Sequence, residues 1–332
     1  MPLSRRILLI ISGLLAASVA SILVALAVGS FNVPIRDVIA AILGDGHTMS
    51  ADVVMKLRLP RALGTFACGG LLALAGALMQ VLLRNPLADP HVLGVSGGAS
   101  VGALLSLLLG ASIAGMNAAA FCGALLAMLL VFGLAHGDGG WTRARLLLTG
   151  VIIAAGCAAI ATLILSIAPE QALRGMLFWL MGDAAHISNP WPALLLLVFG
   201  LLLMWPFARE LNLLSRGDQF AQSLGVRVQA LRILVYCAGA LFTAGAVTTA
   251  GSVGFVGLVV PHLVRLTTGN DQRLLLPAAA LAGGSLLTLA DTLARTMVAP
   301  HQLPVGVLTA LIGVPLFLYL LTRKTAATRD TA

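Results

Sequence analysis

Ten times along this chain an apolar run of roughly twenty residues begins and is then cut off by charges, a Pro-Gly cluster or a polar turn. Runs of that length match the hydrocarbon core of a bilayer, where every backbone polar group must be satisfied internally and a helix does so within one segment. They fall at about 7–29, 62–83, 92–110, 116–136, 146–168, 191–208, 231–250, 253–267, 274–296 and 305–322. Of 332 residues, 59% are hydrophobic and only 10% charged, too few charges to clothe a separate globular module. The expectation is an all-α, polytopic membrane protein: one transmembrane domain over residues 1–332 with about ten transmembrane helices. Arg5 and Arg6 ahead of the first run, and Ala25-Leu26-Ala27 near its end, imitate a signal peptide. The uncharged stretch from Ile7 to Val28 is too long for a usual signal core, so it reads as a retained helix.

Orientation follows from where the cations fall. With the N-terminus inside and ten spans, fourteen of the twenty Lys and Arg face the cytoplasm, which predicts N-in and C-in. The net charge of +8 then belongs to a membrane face and is no sign of nucleic-acid binding. Three of the six exceptions are Lys56, Arg58 and Arg61, in "VVMKLRLPRALG" at the outer mouth of the second run. Two readings compete for this cluster. The side chains snorkel to headgroups and anchor the helix, or they form a cationic patch that receives a carboxylate-bearing partner.

Between the second and third runs, "LMQVLLRNPLADPHVLGVSGGASVGA" (78–103) carries Asn85-Pro86 and Asp89-Pro90. Proline lacks an amide donor and disfavours helical geometry in the residue before it, so an irregular turn is predicted. Gly94, Ser96, Gly97, Gly98 and Gly102 then open the third run with side chains small enough for close helix approach. No G-x-x-x-x-G-K-[ST] pattern occurs anywhere, which excludes a P-loop ATP site.

The longest polar cytoplasmic segment, "ARELNLLSRGDQFAQSLGVRVQALR" (208–232), reads as a short amphipathic helix. Ser215 and Asp218 form its capping pair, Phe220 and Leu224 share a face, and Gly225 stops it. Such a helix rests on lipid headgroups or docks a cytoplasmic partner. Further on, Asp291 and Arg295 stand four apart and are expected to compensate one another, unless Arg295 joins Arg58 and Arg61 on the outer surface. The short, Gly- and Pro-interrupted eighth run echoes residues 69–94, a trace of the kind inverted repeats leave in transporters.

Taken together, "LRLPRALG", "NPLADPHVLGVSGGA", "SLGV", "GFVGLVVPHLVRL" and "LPVGVLTALIGVPLF" resemble the FecCD-type permease subunits of bacterial ATP-binding-cassette importers for cobalamin, haem and ferric siderophores. The likeness runs in order from about residue 53 to 322. It implies ten spans per subunit and a homodimer, meaning a second copy of the permease. It also implies two cytoplasmic ATPase subunits that hold ATP and Mg, and a periplasmic substrate-binding protein. This chain itself would bind no cofactor and no metal, and would sit in the bacterial inner membrane. The resemblance makes Arg58, Arg61 and Arg295 the docking pockets for glutamates of the binding protein. It makes Asn85 and Leu87, together with Arg143 and Ala144, the cytoplasmic gate, small polar residues being more usual at 143 and 144. Asn212, Ser215, Asp218, Ser223, Leu224 and Gly225 become the ATPase coupling loop. The fifth run, with Ala154, Ala155, Gly156, Ala158 and Ala159, would line the pathway.

The implied function is alternating-access import of a metal chelate, driven by ATP hydrolysis on a separate subunit, so the chain is a transporter subunit and no enzyme. The rival is an ion-coupled secondary transporter, which buries carboxylates to relay ions; here only Asp291 qualifies, and an Arg stands beside it. A channel would need a polar filter motif that is missing. Cys68, Cys122, Cys157 and Cys237 lie singly in apolar runs and read as buried free thiols. None of the six histidines pairs with another at i, i+4. His186 and His301 lie near the outer ends, where a haem relay stays open, and His262 reads as structural. Trp141, Trp191 and Trp205 near run ends read as interfacial anchors.

Overall fold

A computed structural model describes residues 3–29, 31–44, 49–135 and 142–329; His47, His136 and Trp141 lie outside the described residues. In chain order the helices are α1 (Leu3–Ala27), α2 (Ile35–Leu43), α3 (Met49–Val53), α4 (Leu59–Leu83), α5 (Val95–Leu108), α6 (Ile113–Ala135), α7 (Arg143–Ile167) and α8 (Glu170–Met181). They continue as α9 (Trp191–Met204), α10 (Ala208–Arg216), α11 (Asp218–Ser223), α12 (Val228–Ala250), α13 (Val256–Thr268), α14 (Gln272–Ala294) and α15 (Val305–Arg329). No strand occurs among the described residues. All ten apolar runs are helical; α2, α3, α8, α10 and α11 are the shorter additions between them.

Six of these segments are long and apolar enough to cross a bilayer unaided, and α9 with α10 makes a seventh that bends by 68°. α5 and α13 fall short. At 1.5 Å per residue their 14 and 13 residues reach only about 20 Å, against a hydrocarbon core of about 30 Å. Each begins only after a non-helical break in an apolar stretch. The segment 84–94 turns at Arg84 (φ 47°), then forms a short 3-10 turn at Pro90–Leu93 capped by Asp89, whose carboxylate accepts from the His91 amide at 2.8 Å. The segment 251–255 makes the corresponding break between α12 and α13, with Phe255 at φ 70°. The two breaks meet: His91 Nε2 lies 2.7 Å from the Val253 carbonyl, and the Ser96 and Ser252 hydroxyls lie 3.0 Å apart.

α4 is the most enclosed of the long apolar helices, with 89% of its apolar window buried beneath α14, α12, α13 and α9. Its small residues permit this. A Cβ on Gly69 would come within 2.2 Å of the Gly283 carbonyl of α14, and one on Gly76 within 1.8 Å of the Gly257 carbonyl of α13. By contrast, only 11% of the α1 window and 17% of the α7 window are buried, which leaves apolar faces for lipid or another chain. Ala155, Gly156, Ala158 and Ala159 lie on the exposed side of α7. The expectation of four buried thiols is corrected here: Cys68 is buried, but Cys122 faces outward from α6 and Cys157 and Cys237 are half-buried.

Candidate functional sites at the two ends of α4

Both ends of α4 carry arginines, and the two groups are built differently. At its N-terminal end the chain from α3 passes through one π-helical turn, Val54–Arg58, before α4 begins. That turn swings Arg58 inward until it is 5% exposed. Its guanidinium donates to the carbonyls of Leu26 (2.7 Å), Ala27 (3.0 Å) and Phe31 (2.6 Å), and lies 4.9 Å from the Phe31 ring centroid. The acceptors from α1 are last-turn carbonyls with no partner further along their own helix, so a cation there also meets the negative end of the helix dipole. Gly29 makes the space, since a Cβ there would lie 2.6 Å from Arg58 Nη2.

In the first turn of α4, Arg61 binds Asp291 of α14 through both forks, Nε to Oδ2 at 2.9 Å and Nη2 to Oδ1 at 2.8 Å, and donates to Gln302 at 2.9 Å. The carboxylate is almost wholly buried. Asp291 is therefore compensated by Arg61 across two helices; the expected pairing with Arg295 one turn away does not form. Arg295, also buried, instead donates to the Ala25 carbonyl and to Thr292 Oγ1 at 3.4 Å. Lys56 pairs with Asp52 at 2.9 Å on the open surface. Arg58, Arg61 and Arg295 nevertheless line one cavity of about 430 Å³, with Lys56, His186 and Gln302 on its walls. His186 rests 3.4 Å from Asp183. His301 is exposed on the neighbouring loop.

At the other end, three arginines from three helix ends meet one carboxylate. Arg84, the left-handed cap of α4, reaches Asp218 Oδ1 at 2.5 Å, while Arg143, the first residue of α7, and Arg232, in the opening turns of α12, both reach Oδ2 at 2.5 Å. Arg84 Nε also donates to the Leu214 carbonyl of α10 at 3.2 Å. Burial, and after it the neighbouring Arg143 cation, push the Arg84 guanidinium below its ordinary value. The side chains are 14–32% exposed, so the cluster is only partly desolvated.

Asp218 does not serve as the capping partner of Ser215. α10 ends at Arg216, Gly217 breaks the chain at φ 149°, and Asp218 opens a separate helix, leaving the Ser215 hydroxyl on the Asn212 carbonyl at 2.7 Å. The Asn212 side chain is held too, donating to Asp271 Oδ1 at 2.8 Å and accepting from the Gln272 amide at 2.9 Å, at the start of α14. Ser223 caps back onto the Phe220 carbonyl at 2.9 Å, and Gly225 turns the chain at φ 82°. Phe220 on α11 and Leu224 just past its end are exposed. Asn85 closes a turn by accepting from the Leu87 amide at 2.9 Å, and Leu87 and Ala144 are exposed nearby in sequence to Arg84 and Arg143.

Comparison with known proteins decides what kind of molecule carries two such ends. The model of the FecCD transport family matches residues 14–323. This chain belongs to that family. The hemin transport system permease HmuU of Yersinia pestis is 39% identical over 91% of this chain and 93% of its own length. The vitamin B12 import permease BtuC of Yersinia enterocolitica is 42% identical over 81% and 82%. A solved metal-chelate type ABC transporter in an inward-facing conformation superposes with a TM-score of 0.83 at 31% identity, covering 95% of this chain and 99% of its own.

Within this member of the family, the residues that sequence reasoning missed are the partners. Arg84, Arg232, Asp271 and Gln302 were not singled out, because the contacts they make span 14 to 241 positions. One signal was available. Asp218 is the sole acid between Glu210 and Asp271 in a chain of 20 Lys and Arg against 12 Asp and Glu, so basic side chains were bound to compete for it.

Proposed function

We propose that this protein is the transmembrane permease subunit of an ATP-binding-cassette importer that moves a metal chelate of the haem, cobalamin or ferric-siderophore class into the cytoplasm. The observation that carries the reading is the family match over 14–323 on a bundle whose axial helix bears a different charged site at each end. In this reading the ten helical runs are ten spans, N-in and C-in, with the bent α9–α10 pair, the short α5 and α13, and α15 completing the count. The units α4–α5 and α12–α13, each interrupted by a break in the helix, are corresponding parts of an inverted repeat. The Arg61 end then faces the periplasm of a bacterial inner membrane and the Arg84 end the cytoplasm.

On the outer face, the 430 Å³ cleft is the landing site for acidic residues of a substrate-binding protein. Lys56, Arg58, Arg61 and Arg295 outnumber Asp52 and Asp291 there. Arg61 and Lys56 meet the partner directly, while Arg58 and Arg295, spent on carbonyls, add their field from beneath. On the inner face, the loop Asn212–Gly225 presents Phe220 and Leu224 to one of two ATPase subunits, which hold ATP and Mg. Asn85 and Leu87 with Arg143 and Ala144 form the gate, and the weakly covered α7 packs on a second copy of the permease, with the chelate passing between the copies.

The test is uptake into proteoliposomes containing the permease and its ATPase, offered haemin, cyanocobalamin or a ferric hydroxamate, each on its binding protein. Uptake of one of the three that requires ATP supports the importer. Uptake that runs without ATP on an imposed proton or sodium gradient replaces it with the secondary-transporter reading.

A further inference from the structure

We infer that Asp218 is a positioning residue of the transport cycle, a single carboxylate through which displacement of the α10–α11 loop is delivered to the turn at Asn85 and to the start of α7. The inference rests on the importer reading and deepens it. Both oxygens of the carboxylate are taken, Oδ1 by Arg84 and Oδ2 by Arg143 and Arg232, so one side chain joins the ends of α4, α7 and α12 to α11.

Electrostatics gives that junction its leverage. Arg143 and Arg145 sit in the first turn of α7 with no acidic residue there, where the positive end of the helix dipole disfavours cations. The first turn of α12, beneath Arg232, also lacks an acid. Each of these helix ends therefore calls for an anion from elsewhere, and Asp218 supplies one to both. Without it three guanidiniums on three separate elements would repel, partly unscreened because they are only 14–32% exposed. Arg84 stands next to Asn85 in the chain, and its left-handed backbone (φ 47°) is a conformation a non-glycine residue holds only when its surroundings fix it.

The loop is built to pivot. Asn212 pins one end to α14 through Asp271 and Gln272, and Gly217 at φ 149° separates α10 from α11. The exposed Phe220 lies on the short helix whose first residue is Asp218, and the exposed Leu224 caps its end. A partner pressing on those apolar side chains pulls the carboxylate, and three helix ends follow.

The experiment places spin labels at Leu87→Cys and Ala144→Cys, with the four native cysteines replaced, in the reconstituted permease–ATPase complex. The distance between labels is read with and without Mg-ATP, alongside ATP hydrolysis and haemin or cyanocobalamin uptake. In Asp218→Asn the label distance stops responding to ATP while hydrolysis persists, transport per ATP falls by about tenfold, and Asp218→Glu restores both. A gate that still responds in Asp218→Asn, with transport per ATP within about twofold of wild type, overturns the inference. If Asp218→Asn fails to assemble, Arg143→Gln carries the test by cutting one arm of the junction; an undiminished response of the gate there overturns the inference equally. Labels that ignore ATP in the wild type, with uptake independent of ATP, overturn the importer reading itself.

Discussion

The two ends of α4 solve the same problem, arginine beside a membrane, in opposite ways. At the Arg61 end each buried cation has its own acceptors: three carbonyls for Arg58, one bidentate carboxylate for Arg61, and the Ala25 carbonyl for Arg295. At the Arg84 end three cations share one carboxylate and remain partly wet. The first arrangement is stiff because removing Arg61 or Asp291 strands a charge, and removing Arg58 or Arg295 strands buried carbonyls. The second is adjustable, since solvent can take over part of each interaction and the three arms can trade places on two oxygens. One end is held by separate, largely buried partners and the other by a single shared carboxylate that water can reach.

The largest expected break in that contrast comes from Asp291→Ala. It leaves Arg61 without its buried partner and should cost about 3–5 kcal/mol of stability, seen as a large drop in the thermal midpoint of the detergent-solubilised protein. Next is Arg58→Lys. A point ammonium cannot serve three carbonyls and stack on Phe31, so a loss of about 1–3 kcal/mol is expected in the same measurement. Asp218→Ala should cost less, about 1 kcal/mol, because its partners are reachable by water; a loss equal to that of Asp291→Ala would erase the distinction between the ends. Hydrogen exchange sharpens it. Raising salt to about 1 M, where the screening length shrinks to about 3 Å, should speed exchange at 84–88 and 217–223 and leave 58–65 and 288–296 unmoved. Smallest of all, Leu224→Ser should change stability by less than about 0.5 kcal/mol, since the side chain is exposed, while weakening co-purification of the ATPase.

Legibility in the sequence followed the range of the interaction. Every apolar run appears as a helix, and the turn at 84–94 and the stop at Gly225 stand where proline and glycine placed them, because those signals act within a few residues. The short helices α2, α3 and α8 went unseen: at 9, 5 and 12 residues they carry too little pattern. The local pairings inferred from spacing fared worst. Asp291 with Arg295 and Ser215 with Asp218 both fit i, i+3 or i, i+4 rules, yet each carboxylate found a stronger bidentate or multiple partner elsewhere. An intrahelical pair is worth a few tenths of a kcal/mol, which a desolvated cross-helix fork easily exceeds.

What the sequence determined by itself was the solvent and the class of fold: a bundle of helices for a bilayer, with breaks at its proline and glycine clusters, because hydropathy and backbone restriction are properties of single residues and short windows. Which cation answers which carboxylate was decided by tertiary structure alone. Glycine contacts such as Gly69–Gly283 bring α4 and α14 close enough for Arg61 to reach Asp291, and the convergence of α4, α7, α11 and α12 gathers three arginines on Asp218. A charge in a low-dielectric interior takes the best partner within a few ångströms, however far away that partner lies along the chain.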